Sequence, residues 1–276
     1  MPGMEIPIGE LAAFVAAAIA VGAVAGVLAG IFGIGGGAVM VPIFYQGLGA
    51  LGIDEVVRMH VAVGTSLAII VPTSISSFRA HLKRGAVDTE LLKSFVIPVP
   101  AGVVLASITA AYLSSGGLRL VFAVIAAIVG LRLLLNRESW KLGDEIPGNP
   151  VRGGIGLALG YFSTLMGIGG GVMNNTFMTL YGRPIHQAVA TSAGMGVLIS
   201  IPGAIGYISA GWNAENLPIG STGFVNWIAF ALIIPVTLIA APVGARIAHA
   251  LPKRTLEVAF GLFLLLVAVR FTWSLM

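Results

Sequence analysis

Gly33-Ile34-Gly35-Gly36-Gly37 recurs as Gly167-Ile168-Gly169-Gly170-Gly171, and each copy interrupts an apolar run long enough to cross a membrane. Lipid offers the backbone no hydrogen-bonding partner, so a tolerated break faces protein or lines a cavity. Glycine frees the backbone there and removes the side chains that would hold a solute at a distance. Two such breaks in one chain read as the two halves of a single solute site.

The flanking sequence sets the class. Of 276 residues, 57% are hydrophobic and 9% charged, and mean hydropathy is +1.00. That composition belongs to a polytopic α-helical membrane protein. The apolar runs lack the alternation of barrel strands and are too long for them. There is no cysteine, so disulfides and thiolate metal sites are excluded. The charge of +4 resides in short loops, as membrane topology requires, and does not mark a nucleic-acid surface. The first ten residues contain Glu5 and Glu10 but no Lys or Arg, unlike the basic start of a signal peptide.

Working outward from the first break, residues 11–31 form a span with Gly22, Gly26 and Gly30 at the spacing of close helix contacts. After the break, residues 38–50 are apolar and include Pro42. At ~1.5 Å per residue this piece is too short to cross a ~30 Å core as a helix. It is either half of a broken span or the return arm of a re-entrant hairpin. Residues 61–80 form the next span, where Pro72 predicts a kink. Residues 92–113 and 118–135 follow. The polar stretch 137–150 reads as a cytoplasmic linker between an N-terminal repeat, 1–136, and a C-terminal repeat, 151–276. The second half repeats the order with 151–166, the break, a short piece to Tyr181, then 188–210, 224–250 and 256–275. The expected fold is an all-α polytopic membrane protein with eight to ten transmembrane segments, counted from these runs.

The duplication extends past the glycines. His60-Val-Ala-Val-Gly-Thr65-Ser66 matches His186-Gln-Ala-Val-Ala-Thr191-Ser192, with Gly85 and Gly211 equally far downstream. Phe122 and Arg132 correspond to Phe260 and Arg270. Parity then decides orientation. If each break adds no net crossing, or two, each half has an odd count and the repeats are inverted. With the N-terminus outside, only Arg58, Arg119 and Arg270 of the 15 Lys and Arg fall at outer ends. Four crossings per half would put six outside. The positive-inside rule selects two inverted repeats with broken or re-entrant helices. His60 then lies near an outer helix end and His186 near an inner one.

Inverted repeats with broken helices recur in transporters, with the solute near the midplane. An anion suits these breaks, because helix N-termini and glycine nests present free N–H groups and positive helix ends. The intramembrane segments carry no Asp or Glu beside the breaks, which argues against a dedicated cation site. The expected binding set is Gly35, Gly36 and Gly37 with Thr65 and Ser66 from one half. Gly169, Gly170, Gly171, Asn174, Asn175, Thr191 and Ser192 come from the other. His60, His186 and Met40 are expected to line or gate the path. Asn174 and Asn175 stand out, since two amides in an apolar piece are costly without partners. Met40 and Val41 take their places in the first half, so the site is expected to be asymmetric. Trp140, Trp212, Trp227 and Trp273 read as interfacial anchors.

The glycine break followed by His-x-Ala-Val-x-Thr-Ser, in both halves, resembles the sulfite exporter TauE/SafE family over almost the whole chain. The resemblance implies an inner-membrane secondary transporter of small sulfur-containing anions such as sulfite or sulfoacetate, without an ATPase domain. This chain has no P-loop. The second half departs from the first at Thr176, where the first has Pro42. No cofactor or metal is expected. The expected partners are a small anionic substrate and the lipid bilayer, with no nucleic acid, and a homodimer is compatible with the sequence. A channel differs only in lacking alternating access. A cation carrier lacks its carboxylates, and an intramembrane enzyme lacks a catalytic cluster, so the protein is read as a non-enzyme.

Overall fold

The computed structural model describes residues 19–20, 22–27, 37–135 and 141–275. The first half provides α1 (Gly37–Ala50), α2 (Glu55–Lys83), α3 (Thr89–Phe95), α4 (Pro98–Tyr112) and α5 (Ser115–Leu135). The second provides α6 (Val151–Leu165), α7 (Gly171–Leu180) and α8 (Ile185–Ala210). A small hairpin follows, β1 (Ser221–Thr222) and β2 (Val225–Asn226), and then α9 (Trp227–Ala250) and α10 (Lys253–Trp273). The protein is an all-α polytopic membrane protein. Among the described residues, α2, α5, α8 and most of α10 are each long and apolar enough to cross a bilayer, and α3 with α4 forms a fifth, bent span.

Local chemistry sets the element ends. The Asp54 carboxylate accepts from Val56 N–H at 3.0 Å and starts α2, while Lys83 closes its last turn. Pro72 lies inside a continuous α2. Beside it Thr73 and Ser74 turn their hydroxyls back onto the carbonyls of Ile69, Ile70 and Val71. The span expected over residues 92–113 is instead broken by a 42° bend between α3 and α4. Pro98 and Pro100 open α4, and their missing N–H groups fit a helix start better than a helix interior.

Corresponding helices of the two halves pair antiparallel. Along α2 and α8, Gly64 meets Tyr207, Leu67 meets Gly203, Ser74 meets Gly196 and Phe78 meets Gly194. Along α5 and α10, Gly130 and Gly261 meet backbone to backbone, and the Phe122 and Phe271 rings lie 5.4 Å apart. The outer pairs run parallel. Gly156 of α6 packs on Phe95 and Pro98, and Gly160 packs on the Val99 main chain. Gly22 packs on Ile233 and Val236 of α9, and Gly26 on Thr237 and Ala240. Gly22 and Gly26 precede Gly156 and Gly160 by the offset that separates the two glycine breaks.

Two hydrogen bonds are exchanged in the same reciprocal way. Thr65 Oγ1 of the first half accepts from Asn226 N–H of the second at 3.0 Å. Thr191 Oγ1 of the second half accepts from Asp88 N–H of the first at 2.9 Å. Asp88 and Asn226 are themselves caps, accepting from Leu91 N–H and Ala229 N–H at the starts of α3 and α9. The bundle therefore has two distinct ends. His60, Arg119 and Ser274 gather at one, and Lys83, His186 and the start of α10 lie toward the other. α6 and α7 both have their outer termini at this second end: Phe177 of α7 stacks near Phe95, which packs on Gly156, and Leu142 N–H bonds Leu180 O before α6 begins.

Candidate solute site

α6 ends at Leu165, and Gly167 and Gly170 then take left-handed backbone with φ of 67° and 73°. A β-carbon disfavours that conformation, which is why glycine stands at both points. Gly167 N–H bonds Thr164 O at 3.0 Å and Ile168 N–H bonds Ser163 O at 2.9 Å, closing the turn. From Gly169 to Met173 the main-chain N–H groups find no acceptor among the described residues. Helix starts leave such donors open, but here Gly169 to Val172 are buried. Buried open donors are costly unless something negative or polar meets them, and these lie at the positive end of α7.

The first half reaches the same point. A β-carbon on Gly37, the first residue of α1, would lie 2.7 Å from Gly167 O and from Ile168 Cα. Ser66 Oγ donates to Gly167 O at 2.9 Å, and Ile70 of α2 packs against Gly169. The second break thus sits under the middle of α2, with the start of α1 against it. Gly35 and Gly36 lie outside the described residues.

One step along α7, the fully buried Asn174 donates from Nδ2 to Ser192 Oγ at 2.8 Å, and Ser192 Oγ donates to Asn175 Oδ1 at 2.7 Å. Asn174 Oδ1 has no partner. The Asn pair and Ser192 therefore form one polar strip beside the open donors. Thr65 and Thr191 are occupied by the reciprocal bonds between halves and act as joints. Met40 is buried in α1. His186 is exposed in the first turn of α8, at the end of the bundle away from His60.

His60 floors a cavity of about 680 Å³ at its own end of the bundle. Its Nε2 lies 3.1 Å from Ala110 O and 3.0 Å from Leu113 O, so that nitrogen carries the proton. The ring packs 4.6 Å from Phe224 of the hairpin, and Nδ1 is buried without a partner. At ~1.5 Å per residue, Ser66 at the break lies roughly 9 Å further along α2. On the cavity wall the buried Arg119 pairs with Glu55 at 2.6 Å and donates from Nη1 to Ser274 Oγ at 2.9 Å. No group of three His, Asp or Glu among the described residues is placed to hold a metal ion.

The family model of the sulfite exporter TauE/SafE family matches residues 18–271. The chain belongs to the TauE/SafE family. This TauE/SafE chain is 32% identical over 258 residues to a probable membrane transporter protein of Haemophilus influenzae, covering 93% of this chain and 97% of the relative. It is 24% identical over 275 residues to the probable membrane transporter protein YunE of Bacillus subtilis, at 93% and 96% coverage. A probable membrane transporter protein of Methanocaldococcus jannaschii is 29% identical over 261 residues, at 90% and 94%. No solved structure matches it significantly. The protein is a membrane transporter of this family.

Four residues of the TauE/SafE chain shape the site without being read as site residues from its sequence. Asp88 and Asn226 had a readable signal, a capping residue just before an apolar run. Phe224 reads as one more apolar residue until the hairpin sets it over His60. Arg119 carries no local pattern beyond its charge, and its burial comes from helices far apart in sequence.

Proposed function

We propose that this transporter is a secondary carrier exporting a small sulfur-containing oxyanion, such as sulfite or an organosulfonate like sulfoacetate, across the inner membrane. The observation that carries the reading is the row of N–H groups from Gly169 to Met173, buried as far as Val172 and without an acceptor among the described residues, met by the start of α1 at Gly37. Donors of that kind hold an anion without a fixed positive side chain. Asn174, Asn175 and Ser192 then orient it. The family's own name speaks for sulfite and for outward movement.

The two halves act as inverted repeats. In support, corresponding helices pair antiparallel and Thr65 and Thr191 exchange equivalent bonds across the halves. The α6–α7 hairpin enters from the end that holds His186. Its counterpart, which ends in α1, returns toward the His60 end, where Tyr45 meets Phe271. In this reading the α6–α7 hairpin and the start of α1 meet at midplane from opposite faces, with three spans per half and the N-terminus outside. His60 and Phe224 close the outer path, and rocking one half against the other opens it.

The test is flux of labelled sulfite and sulfoacetate in proteoliposomes, with counterflow. Saturable flux and trans-stimulation are expected of the parent. Gly170→Val, whose side chain would collide with Ile199 in a left-handed backbone, should insert and carry nothing. Unsaturable flux without counterflow would make the protein a channel, and normal flux in Gly170→Val would remove the anion site from the break.

A further inference from the structure

The ion pair in the outer cavity is placed to do more than hold two helices together. Arg119 is only 6% exposed, and it faces a cavity bounded by α2, α4, α5 and the loop before the hairpin. Its Nη1 is fixed by Ser274 Oγ and O, and its Cζ lies 5.5 Å from the centre of the Tyr45 ring. Its Nε has no acceptor, and its Nη2 reaches Glu55. The two partners are unequal. The arginine side chain is 7% exposed, whereas that of Glu55 is 54% exposed and stands in the first turn of α2. A buried, fixed guanidinium thus pairs with a half-exposed carboxylate on the wall of an open cavity.

A guanidinium binds carboxylate, sulfonate and sulfite oxygens with the same two-pronged geometry. The Glu55 carboxylate therefore occupies the position that a small oxyanion would take. Two acids of the lining oppose a bound anion. Asp54 is engaged in capping α2, and Glu215 is an exposed acid on the lining loop. His60, on the floor, offers only an unpartnered Nδ1.

We propose that Arg119 is a second oxyanion site on the outer side of the transport path, and that Glu55 is its tethered competitor. An anion released past His60 and Phe224 pairs with Arg119, and Glu55 then returns and displaces it. The same competition weakens the site for an external anion, so Glu55 sets how tightly the site holds an anion arriving from either side. The proposal rests on the preceding section for the anionic solute, the outward direction and the closure of the outer path by His60 and Phe224. No bond is made or broken.

The absence of cysteine allows a local reporter. Ala111→Cys, on the exposed face of α4 that lines the cavity, carries an environment-sensitive fluorophore, and the full-length protein in nanodiscs is titrated with sodium sulfate at constant ionic strength. Glu55→Gln should bind sulfate about tenfold more tightly than the parent, the size of one charge-assisted contact. Arg119→Gln should abolish the response, with or without Glu55→Gln. Arg119→Lys, which keeps the charge but loses the fork, should weaken it severalfold and covers the case in which the glutamine variant fails to fold. The Gly170→Val protein should still respond, which separates this site from the break. Unchanged or weaker binding in Glu55→Gln, a response that survives Arg119→Gln, or no response in any variant would overturn the proposal.

Discussion

Asn174 shows how one side chain at the break separates stability from transport. It lies in the first turn and a half of α7, fully buried, with its amide spent on Ser192 and its carbonyl oxygen unpartnered. Aspartate has the same shape and brings a negative charge to the positive end of the helix. Such a charge stabilises a helix start by roughly 0.3–2 kcal/mol. It also competes with any anion that the open N–H groups would hold. Asn174→Asp trades the Nδ2 bond to Ser192 Oγ for that attraction, so the thermal midpoint is expected to change little while anion flux falls at least about tenfold, a contrast that a purely structural residue would not give. Flux at the parental level would place the anion elsewhere. Asn174 was legible in the sequence because two amides beside a glycine break are expensive without a purpose. Its bond to Ser192 was not, since nothing in the spacing says which face of α8 meets α7.

At the level of elements, the two threonine joints carry a measurable load. Thr65→Val preserves shape but leaves the buried Asn226 N–H without its acceptor, a loss of about 1–3 kcal/mol. Thr191→Val does the same to Asp88 N–H, in a less buried place. The two joints lie well separated along the α2–α8 pair and share no partner, so their effects on the unfolding midpoint should add in the double variant. Strong non-additivity would mean that the halves are coupled through more than these bonds. Helix contacts through small residues are a second element-scale test. A methyl on Gly160 would lie 2.2 Å from Val99 O, so Gly160→Ala should push α4 from α6 and cost about 1–3 kcal/mol. The elements themselves were legible where apolar runs ended in polar loops. The α3–α4 bend was hidden because Pro98 and Pro100 sit inside an apolar run, where composition reads straight through a helix start. Pro72 predicts a kink, and α2 runs continuously through it, with the hydroxyls of Thr73 and Ser74 bonded to nearby carbonyls.

For the whole molecule, the orientation proposed above turns on the charge at the two ends of the bundle. At the cavity end the arginines are engaged: Arg58 donates to Ile53 O, Arg119 pairs with Glu55, and Arg270 donates to Gln46. At the opposite end Lys83, Arg84, Lys93 and Arg183 are exposed, and Arg254 caps the closing carbonyls of α5 at Leu133 and Leu134. The end richer in cations is the one expected at the anionic, cytoplasmic leaflet. This division follows from the sequence count once the breaks add no net crossing, and the paired helices make that count physically reasonable. Single cysteines in the cysteine-free chain test it directly. Lys83→Cys and Lys141→Cys, both exposed, should react with a membrane-impermeant thiol reagent only when it is applied from the cytoplasm. Ala111→Cys, on the cavity wall, should react only from outside. Labelling of Lys83→Cys and Ala111→Cys from the same side would break the assignment of opposite ends to opposite faces. The reverse pattern would instead keep the fold and turn the molecule over, making the Arg119 cavity an entry on the cytoplasmic side.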